Sequence, residues 1–240
     1  MYSVVVPCYN EEKNLDRLID RFDSIHDTLR SAGKELELVL VDNGSVDNSH
    51  ARISAIVQER DYVKEVRVPV NQGYGYGILQ GLKACSGEFL FWLHADLQLP
   101  PEAIIEMIGL LDASDRPNQM FIKGNRQNRP LSDRFFTFGM GVFESLYLGA
   151  NLRDINAQPT CISKEFFDTW GNPPHDFSLD LYAYYMAAKN GLRISRVKVV
   201  QSERLEGESS WNTGMASRIK LIKRTLSYSR VLKRELKQKT

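Results

Sequence analysis

The chain has 240 residues, 42% of them hydrophobic, with 31 Lys and Arg against 30 Asp and Glu. Those proportions exclude a disordered or collagen-like chain and describe a globular protein of one or two domains. Three widely separated cysteines, Cys8, Cys85 and Cys161, exclude a disulfide framework and a CxxC zinc site and point to a reducing compartment.

The opening run Met1-Tyr2-Ser3-Val4-Val5-Val6-Pro7 carries neither a basic leader nor a long apolar stretch, so no secretory signal is predicted. Ser3 to Val6 reads as a strand that ends at Pro7, because proline cannot continue a ladder. From Glu11, Leu15, Leu18, Ile19, Phe22, Ile25 and Leu29 recur at three and four, the apolar face of a helix closed by Gly33. Leu36 to Val41 is strand-like, Asp47 to Arg60 helical, Val63 to Val68 a strand, Gly75 to Cys85 helical, and Glu88 to Leu93 an apolar strand. This βαβαβαβ rhythm predicts a parallel sheet covered on both faces.

After Pro100-Pro101 a helix runs to about Ala113, Phe121 to Gly124 reads as a strand, and Asn125 to Arg134 as an Arg-rich loop. Leu131 to Ala150 is a helix dense in Phe, Tyr and Leu, a core element or a wall for a lipid tail. Ser178 to Asn190 is a helix stopped by Gly191, and Leu192 to Val200 an edge or final strand. From Met215 onward Ile, Leu and Met share one side of a helix and Lys and Arg the other. Residues 211–240 hold nine Lys or Arg and one acid, Glu235, so residues 1–210, with 22 basic and 29 acidic residues, carry −7. A uniformly basic nucleic-acid surface is thereby excluded, and a basic tail on an acidic body is predicted. Such a tail can lie on an anionic membrane surface or pack on the domain with a solvated basic side. No stretch reaches the roughly 18 apolar residues of a membrane span.

Parallel sheets bind ligands at the carboxyl ends of their strands, and the loops there are polar: Pro7-Cys8-Tyr9-Asn10-Glu11, Asp42-Asn43-Gly44-Ser45, Asn71-Gln72-Gly73-Tyr74-Gly75 and His94-Ala95-Asp96-Leu97-Gln98. The glycines at 73, 75, 77 and 81 lack the spacing and position of a dinucleotide fingerprint and read as close backbone approach. No Walker A loop and no G-x-S-x-G elbow occurs. His26, His50, His94 and His175 are scattered without metal-ligand spacing and read as surface or core residues. Asp42 and Asp96 each follow an apolar strand, where a carboxylate caps a helix, accepts hydrogen bonds from a ribose or base, or ligates a hard cation.

In order and content, the four loops resemble those of family 2 glycosyltransferases with the GT-A fold. Within that family they are most similar to the dolichyl-phosphate-mannose-synthase-like, polyprenyl-phosphate branch. The resemblance implies a nucleotide-sugar site at Pro7, Tyr9, Asn10, Glu11, Asp42, Asn71, Gly73, Gly75 and Ala95. It implies a Mg²⁺ or Mn²⁺ site at Asp96 and Gln98, with His94 in place of the motif's first aspartate and Asn43 in place of a common second acid. Imidazole suits Mn²⁺ better than Mg²⁺. Arg204-Leu205-Glu206-Gly207-Glu208-Ser209 resembles a segment whose arginine reaches the donor diphosphate. Arg126, Arg129 and Arg134 lie where the family binds phosphate, and a solvated charged loop is the alternative for them.

Members that glycosylate a hydroxyl carry a Glu-Asp-x-Asp-Leu segment, whose Glu-Asp pair supplies the base. Here the matching stretch is Phe177-Ser178-Leu179-Asp180-Leu181, with Asp180 left to orient its neighbours and Asp176 as a displaced base. Asp154-Ile155-Asn156-Ala157-Gln158-Pro159 reads as a loop near the sugar or acceptor, or as a plain helix-connecting turn. The resemblance therefore implies a GT-A domain over residues 1–210 and a basic amphipathic helix over 211–240. Its expected activity is inverting, metal-dependent transfer from a nucleotide-sugar to a polyprenyl phosphate, with Asp96, Arg204, Arg126 and Arg134 as catalytic residues. The expected setting is cytoplasmic, peripheral at the membrane face, with a membrane-protein partner or a second copy of the chain as possible associates and no nucleic acid. Transfer to a sugar hydroxyl in surface-polysaccharide assembly, and a non-catalytic nucleotide-sugar binder, stay open.

Overall fold

The two-residue period of the first strands decides the architecture. In β1 (Tyr2–Cys8), Val4 and Val6 enter one core while Val5 enters another; in β2 (Leu36–Asn43), Leu38 and Leu40 divide from Val39 and Val41 in the same way. A strand with apolar side chains on both faces must be covered on both, and helices supply the cover. α1 (Glu12–Ser31), α2 (Ser49–Glu59) and α4 (Ala103–Asp112) close the first core with Leu15, Phe22, Ile53 and Met107. α3 (Tyr74–Ala84), the short α6 (Lys164–Asp168) and α7 (Leu179–Lys189) close the second with Ile78, Leu82, Phe166 and Leu181.

This computed structural model describes residues 1–128, 131–202 and 225–234, with the backbone alone over 132–136. The remaining strands are β3 (Val63–Val68), β4 (Phe89–Trp92), β5 (Met120–Gln127), β6 (Thr160–Ser163) and β7 (Arg193–Val200), and the sheet order is β3-β2-β1-β4-β6-β5-β7. Every neighbouring pair is parallel except the two that involve β6, so β6 alone runs backwards. The carboxyl ends of the other six strands share one rim. The central sheet is thus mostly parallel, as expected, with a reversed strand that apolar patterning did not announce.

Two strand ends, and the setting of some residues beyond them, differ from the sequence reading. β1 continues through Pro7 to Cys8, in register with Val41 and Asp42 of β2. Val5 offers its carbonyl toward β4, where Leu93 donates to it at 3.2 Å, so the residue two further on faces the same side. Pairing with β4 ends at Val5 and Trp92, so the missing N–H of Pro7 falls where no partner strand remains. β5 runs on through Asn125 and Arg126 to Gln127, because β7 lies beside it in eight-residue parallel register. Arg126 is therefore a strand residue rather than a loop residue. α5 (Leu131–Leu148) begins before Arg134, which places that arginine in a helix, with its side chain outside the described residues. Phe138 and Phe143, read as core or tail-groove residues, are exposed, together with Leu131, Val142 and Leu146 on the same helix.

The expected stop at Gly33 holds. Gly33 is left-handed at φ +70°, and Lys34 donates its N–H to the Leu29 carbonyl at 2.9 Å, which satisfies the last turn of α1. Of the basic tail, residues 225–234 form α8, which packs on α5: Ser229 donates to Glu144 at 2.7 Å, and Lys233 reaches the Tyr147 carbonyl at 2.7 Å. Tail residues 211–224 and 235–240 lie outside the described residues. No described helix is long and apolar enough to cross a membrane.

Candidate active site

The rim is assembled by backbone-to-side-chain stitching between successive strand ends. Asn10, left-handed at φ +58°, donates its N–H to Ser45 Oγ at 3.1 Å, and its own Oδ1 accepts from the Val46 N–H at 2.9 Å. The Glu11 N–H reaches Ser49 Oγ at 2.9 Å, and the Glu11 carboxylate accepts from Asn14 at 2.6 Å. The β1 and β2 loops thus form one unit. Asp42 belongs to β2 itself rather than capping α2, whose N-cap position is Asn48. Its Oδ1 accepts from the Ser45 N–H at 3.0 Å, and its Oδ2 lies 3.7 Å from His50 Nδ1, which is also 2.8 Å from Glu65. His50, read as a plain surface or core residue, joins two carboxylates at this corner.

The third loop joins through Asn43, whose Nδ2 donates to the Gly73 carbonyl at 3.1 Å, a bond that an aspartate could not make. The Gly73 N–H is held by Asn71 Oδ1 at 2.8 Å. A Cβ on Gly75 would lie 2.6 Å from the Asp176 carbonyl oxygen and one on Gly73 2.7 Å from that of His175. The close approach that these glycines permit is to the 174–176 segment of the chain itself, which the Tyr76 N–H also grips through the His175 carbonyl at 2.9 Å. Of the residues expected at the nucleotide-sugar, the rim gathers Asn10, Glu11, Asp42, Asn71 and Gly73 into one bonded set. Pro7 and Tyr9 stand at the end of β1, with Tyr9 exposed, and Ala95 is buried beside Asp96.

Asp96 is 7% exposed, and its Oδ1 accepts from the Gln98 N–H at 3.1 Å across a turn in which Leu97 is left-handed at φ +55°. The Gln98 carbonyl in turn accepts from the Ser202 N–H at 2.9 Å, which brings the end of the β7 segment to this loop. Arg204 follows two residues later; it and the 205–209 segment lie outside the described residues, as does Arg129. Among the described residues no three His, Cys, Asp or Glu side chains gather as a cation cage. His94, Asp96 and Gln98 instead stand at alternate positions of the chain just past the end of β4.

His94 meets a group of residues that the motifs do not announce. The Tyr74 ring lies 5.0 Å from the His94 ring and stacks on Phe177 at 4.4 Å with 4° between planes. The Tyr74 hydroxyl donates to Asp180 Oδ2 at 3.3 Å and accepts from Gln158 Nε2. Asp180, 1% exposed, accepts through its other oxygen from Trp92 Nε1 at 3.1 Å, so it orients neighbours as expected. Burial pushes the Tyr74 hydroxyl well above its ordinary pKa and keeps it a donor. Lys123, wholly buried, donates to Thr160 Oγ1 at 3.3 Å, and burial lowers its pKa to about 8.

Arg126, expected at an acceptor phosphate, pairs with Asp154 through Nε at 3.1 Å and also through Nη2. Arg196 adds a 3.1 Å bond to the Gly124 carbonyl and one to the Arg153 carbonyl. The 149–159 segment is therefore stapled to β5 and β7 rather than being a loose turn. The three cysteines are buried, and burial raises every thiol, Cys85 to about 12, so none offers a ready thiolate.

Residues 3–170 match the family model described as glycosyl transferase family 2, and the chain belongs to that family. Among solved structures it is similar to glucosyl-3-phosphoglycerate synthase from Mycobacterium tuberculosis, at 20% identity and a TM-score of 0.66, over 91% of this chain and 76% of that one. It also resembles S. aureus TarS 1–349, at 20% identity and a TM-score of 0.60, over 84% of this chain and 60% of that one. A third likeness is to the mannosyltransferase PcManGT from Pyrobaculum calidifontis, in complex with GDP-Man and Mn²⁺, at 18% identity and a TM-score of 0.63, over 86% of this chain and 58% of that one. The fold is GT-A, and the chain spans less than two thirds of the TarS and PcManGT chains.

Proposed function

We propose that this family 2 glycosyltransferase moves a sugar, with inversion, from a nucleotide-sugar to a polyprenyl phosphate at the cytoplasmic membrane face. The bonded unit of Asn10, Glu11, Asp42 and Asn71 takes the nucleotide, with Asp42 accepting from base or ribose. Asp96, His94 and Gln98 suit a divalent cation whose remaining ligands come from a diphosphate; such a cation, Mg²⁺ or Mn²⁺, supplies charge neutralisation at the leaving group. Arg204, two residues past the bond between Ser202 and Gln98, fits the growing diphosphate charge with its guanidinium fork.

The observation that supports the acceptor reading is Phe177, which by its resemblance to the family segment stands where the base would be, stacked on Tyr74 beside His94. A hydroxyl nucleophile needs a base there, whereas a phosphate monoester, with a second pKa of about 6, arrives largely anionic. Its oxygen attacks the anomeric carbon as the bond from that carbon to the diphosphate breaks, and the nucleoside diphosphate leaves. The exposed Leu131, Phe138 and Leu146 of α5 and the cations of α8 are in keeping with work at a membrane surface. Asp176 favours the second reading, a hydroxyl acceptor: its Oδ1 accepts from the Ser178 N–H at 2.8 Å, next to the same aromatic pair.

Incubation with radiolabelled UDP- and GDP-sugars, Mn²⁺ and a polyprenyl phosphate tests this. Label that moves into organic solvent as a lipid-phosphate-sugar is expected. Label found only on an added glycan, and lost in Asp176→Asn, overturns it for a hydroxyl acceptor. A donor-dependent thermal shift with neither transfer nor donor hydrolysis overturns it for a non-catalytic binder.

A further inference from the structure

His94, which stands where the family motif has an aspartate, is the one aromatic residue in the cation-binding set, and a closed circuit of contacts surrounds it. Trp92, two residues earlier, bonds through Nε1 to the buried Asp180 on α7. Asp180 accepts from the hydroxyl of Tyr74, at the first turn of α3, and the Tyr74 ring returns to the ring of His94. The circuit therefore starts and ends at the carboxyl end of β4. Both polar contacts of the Tyr74 hydroxyl come from side chains that are almost wholly buried, Asp180 and Gln158, so the phenol cannot swing to solvent without giving up two bonds to buried groups. Phe177 stacks on the ring as well, which fixes its plane as the hydroxyl bonds fix its axis.

We infer that Tyr74 is a positioning residue: locked by Asp180, Gln158 and Phe177, it holds the His94 imidazole in one orientation beside Asp96. The assignment rests on the cation and diphosphate reading of His94 and Asp96 only for its catalytic consequence. The orientation itself is a property of the chain without ligand. An aspartate at position 94 would have no ring to set against the phenol, so the departure from the motif and the tilted ring contact with Tyr74 form one device. Partners that orient a ligating group, when removed, typically lower metal affinity or activity by about 10–100-fold.

The test begins with proton NMR of the ligand-free protein, with the His94 imidazole signals assigned through His94→Gln. In the wild type the ring current of Tyr74 should set the His94 signals apart from ordinary histidine positions. Tyr74→Leu should return them toward ordinary positions, and Tyr74→Phe, which keeps the ring but loses both hydroxyl bonds, should broaden them. Those of His26, which stacks on Tyr62 far along α1, should stay in place. Mn²⁺ binding in the presence of UDP or GDP, read by electron paramagnetic resonance, should weaken by about 10–100-fold in Tyr74→Leu, and less in Tyr74→Phe. His94 signals unmoved in Tyr74→Leu overturn the inference, and so does a shift shared by His26, which would report general loosening. If the NMR outcome holds but Mn²⁺ binds neither protein, the cation reading fails while the positioning of His94 stands.

Discussion

The two halves of the rim are built by different means. From β1 to β4 the residues at Asp42 and Asp96 lie within a few positions of a strand end, and bonds between backbone and side chain join the loops after β1, β2 and β3. From β5 onward the rim depends on partners farther apart in sequence: Tyr74 with Asp180, 106 residues apart, and Gln158 with Tyr74, 84 apart, against 35, 38 and 30 for the bonds that join the first three loops. The first half, which we read as the donor cradle, is built between successive βα units. The second is a wall of rings and buried charges that exists only once the chain has closed, and Tyr74 is the seam between them.

The sharpest break in this division should come from Asp96→Asn, which removes a charge from the cradle and leaves the wall intact. Turnover is expected to fall by about a thousandfold or more in a product assay, with an unchanged thermal midpoint in the absence of ligand. Asp42→Ala should act on donor affinity instead, by about 10–100-fold in a titration of the nucleotide-sugar, because a charged acceptor is lost at the nucleotide. Gly75→Ala strikes the seam. Its methyl would drive into the carbonyls of Pro174 and Asp176, so a loss of about 1–3 kcal/mol in denaturant unfolding is expected, with Tyr74 and Phe177 moving apart.

An effect of similar size but opposite sign belongs to the wall. Lys123 has a folded pKa of about 8, against about 10.4 for an unfolded lysine. Below pH 8 both states hold the proton, and the penalty of burying the ammonium is fully present. Between pH 8 and 10.4 the unfolded chain binds more protons, so wild-type stability rises with pH. Lys123→Met should therefore stabilise the fold by about 2 kcal/mol near pH 7, an advantage that shrinks toward pH 10 in parallel melts.

The same division explains what could be read from the sequence. The strand-end loops were legible because a cradle residue needs only the strand before it and the turn it sits in, both local properties. Leu15, Leu18 and Phe22 fell into place because burial on one face of a helix imposes a period. Pro7 misled because its tolerance depends on β4 ending two residues short, a fact about a neighbouring strand. Arg126 was read as loop because nothing around Asn125 signals that β7 will lie alongside it. Tyr74 was quoted only as the spacer between two glycines, and no pattern in one dimension pairs it with Asp180. His50 lay eight residues past Asp42 without a motif, although a histidine on the first turn after a strand-end carboxylate was a signal within reach.

The reversal of β6 changes which part of the chain can be edited. In every other strand the residues that follow it reach the rim, but in β6 the residues that precede it do, since Thr160 lies opposite Trp92 at the carboxyl end of β4. The segment 149–159 thus reaches the wall as an independent insert, bounded by α5 on one side and by a four-residue strand on the other, and separate in sequence from every residue of the donor cradle. Changes of length or composition over 149–157 therefore fall outside the loops that hold Asp42 and Asp96, whereas Gln158, bonded to Tyr74, is the point at which an edit to this segment would be felt beside His94.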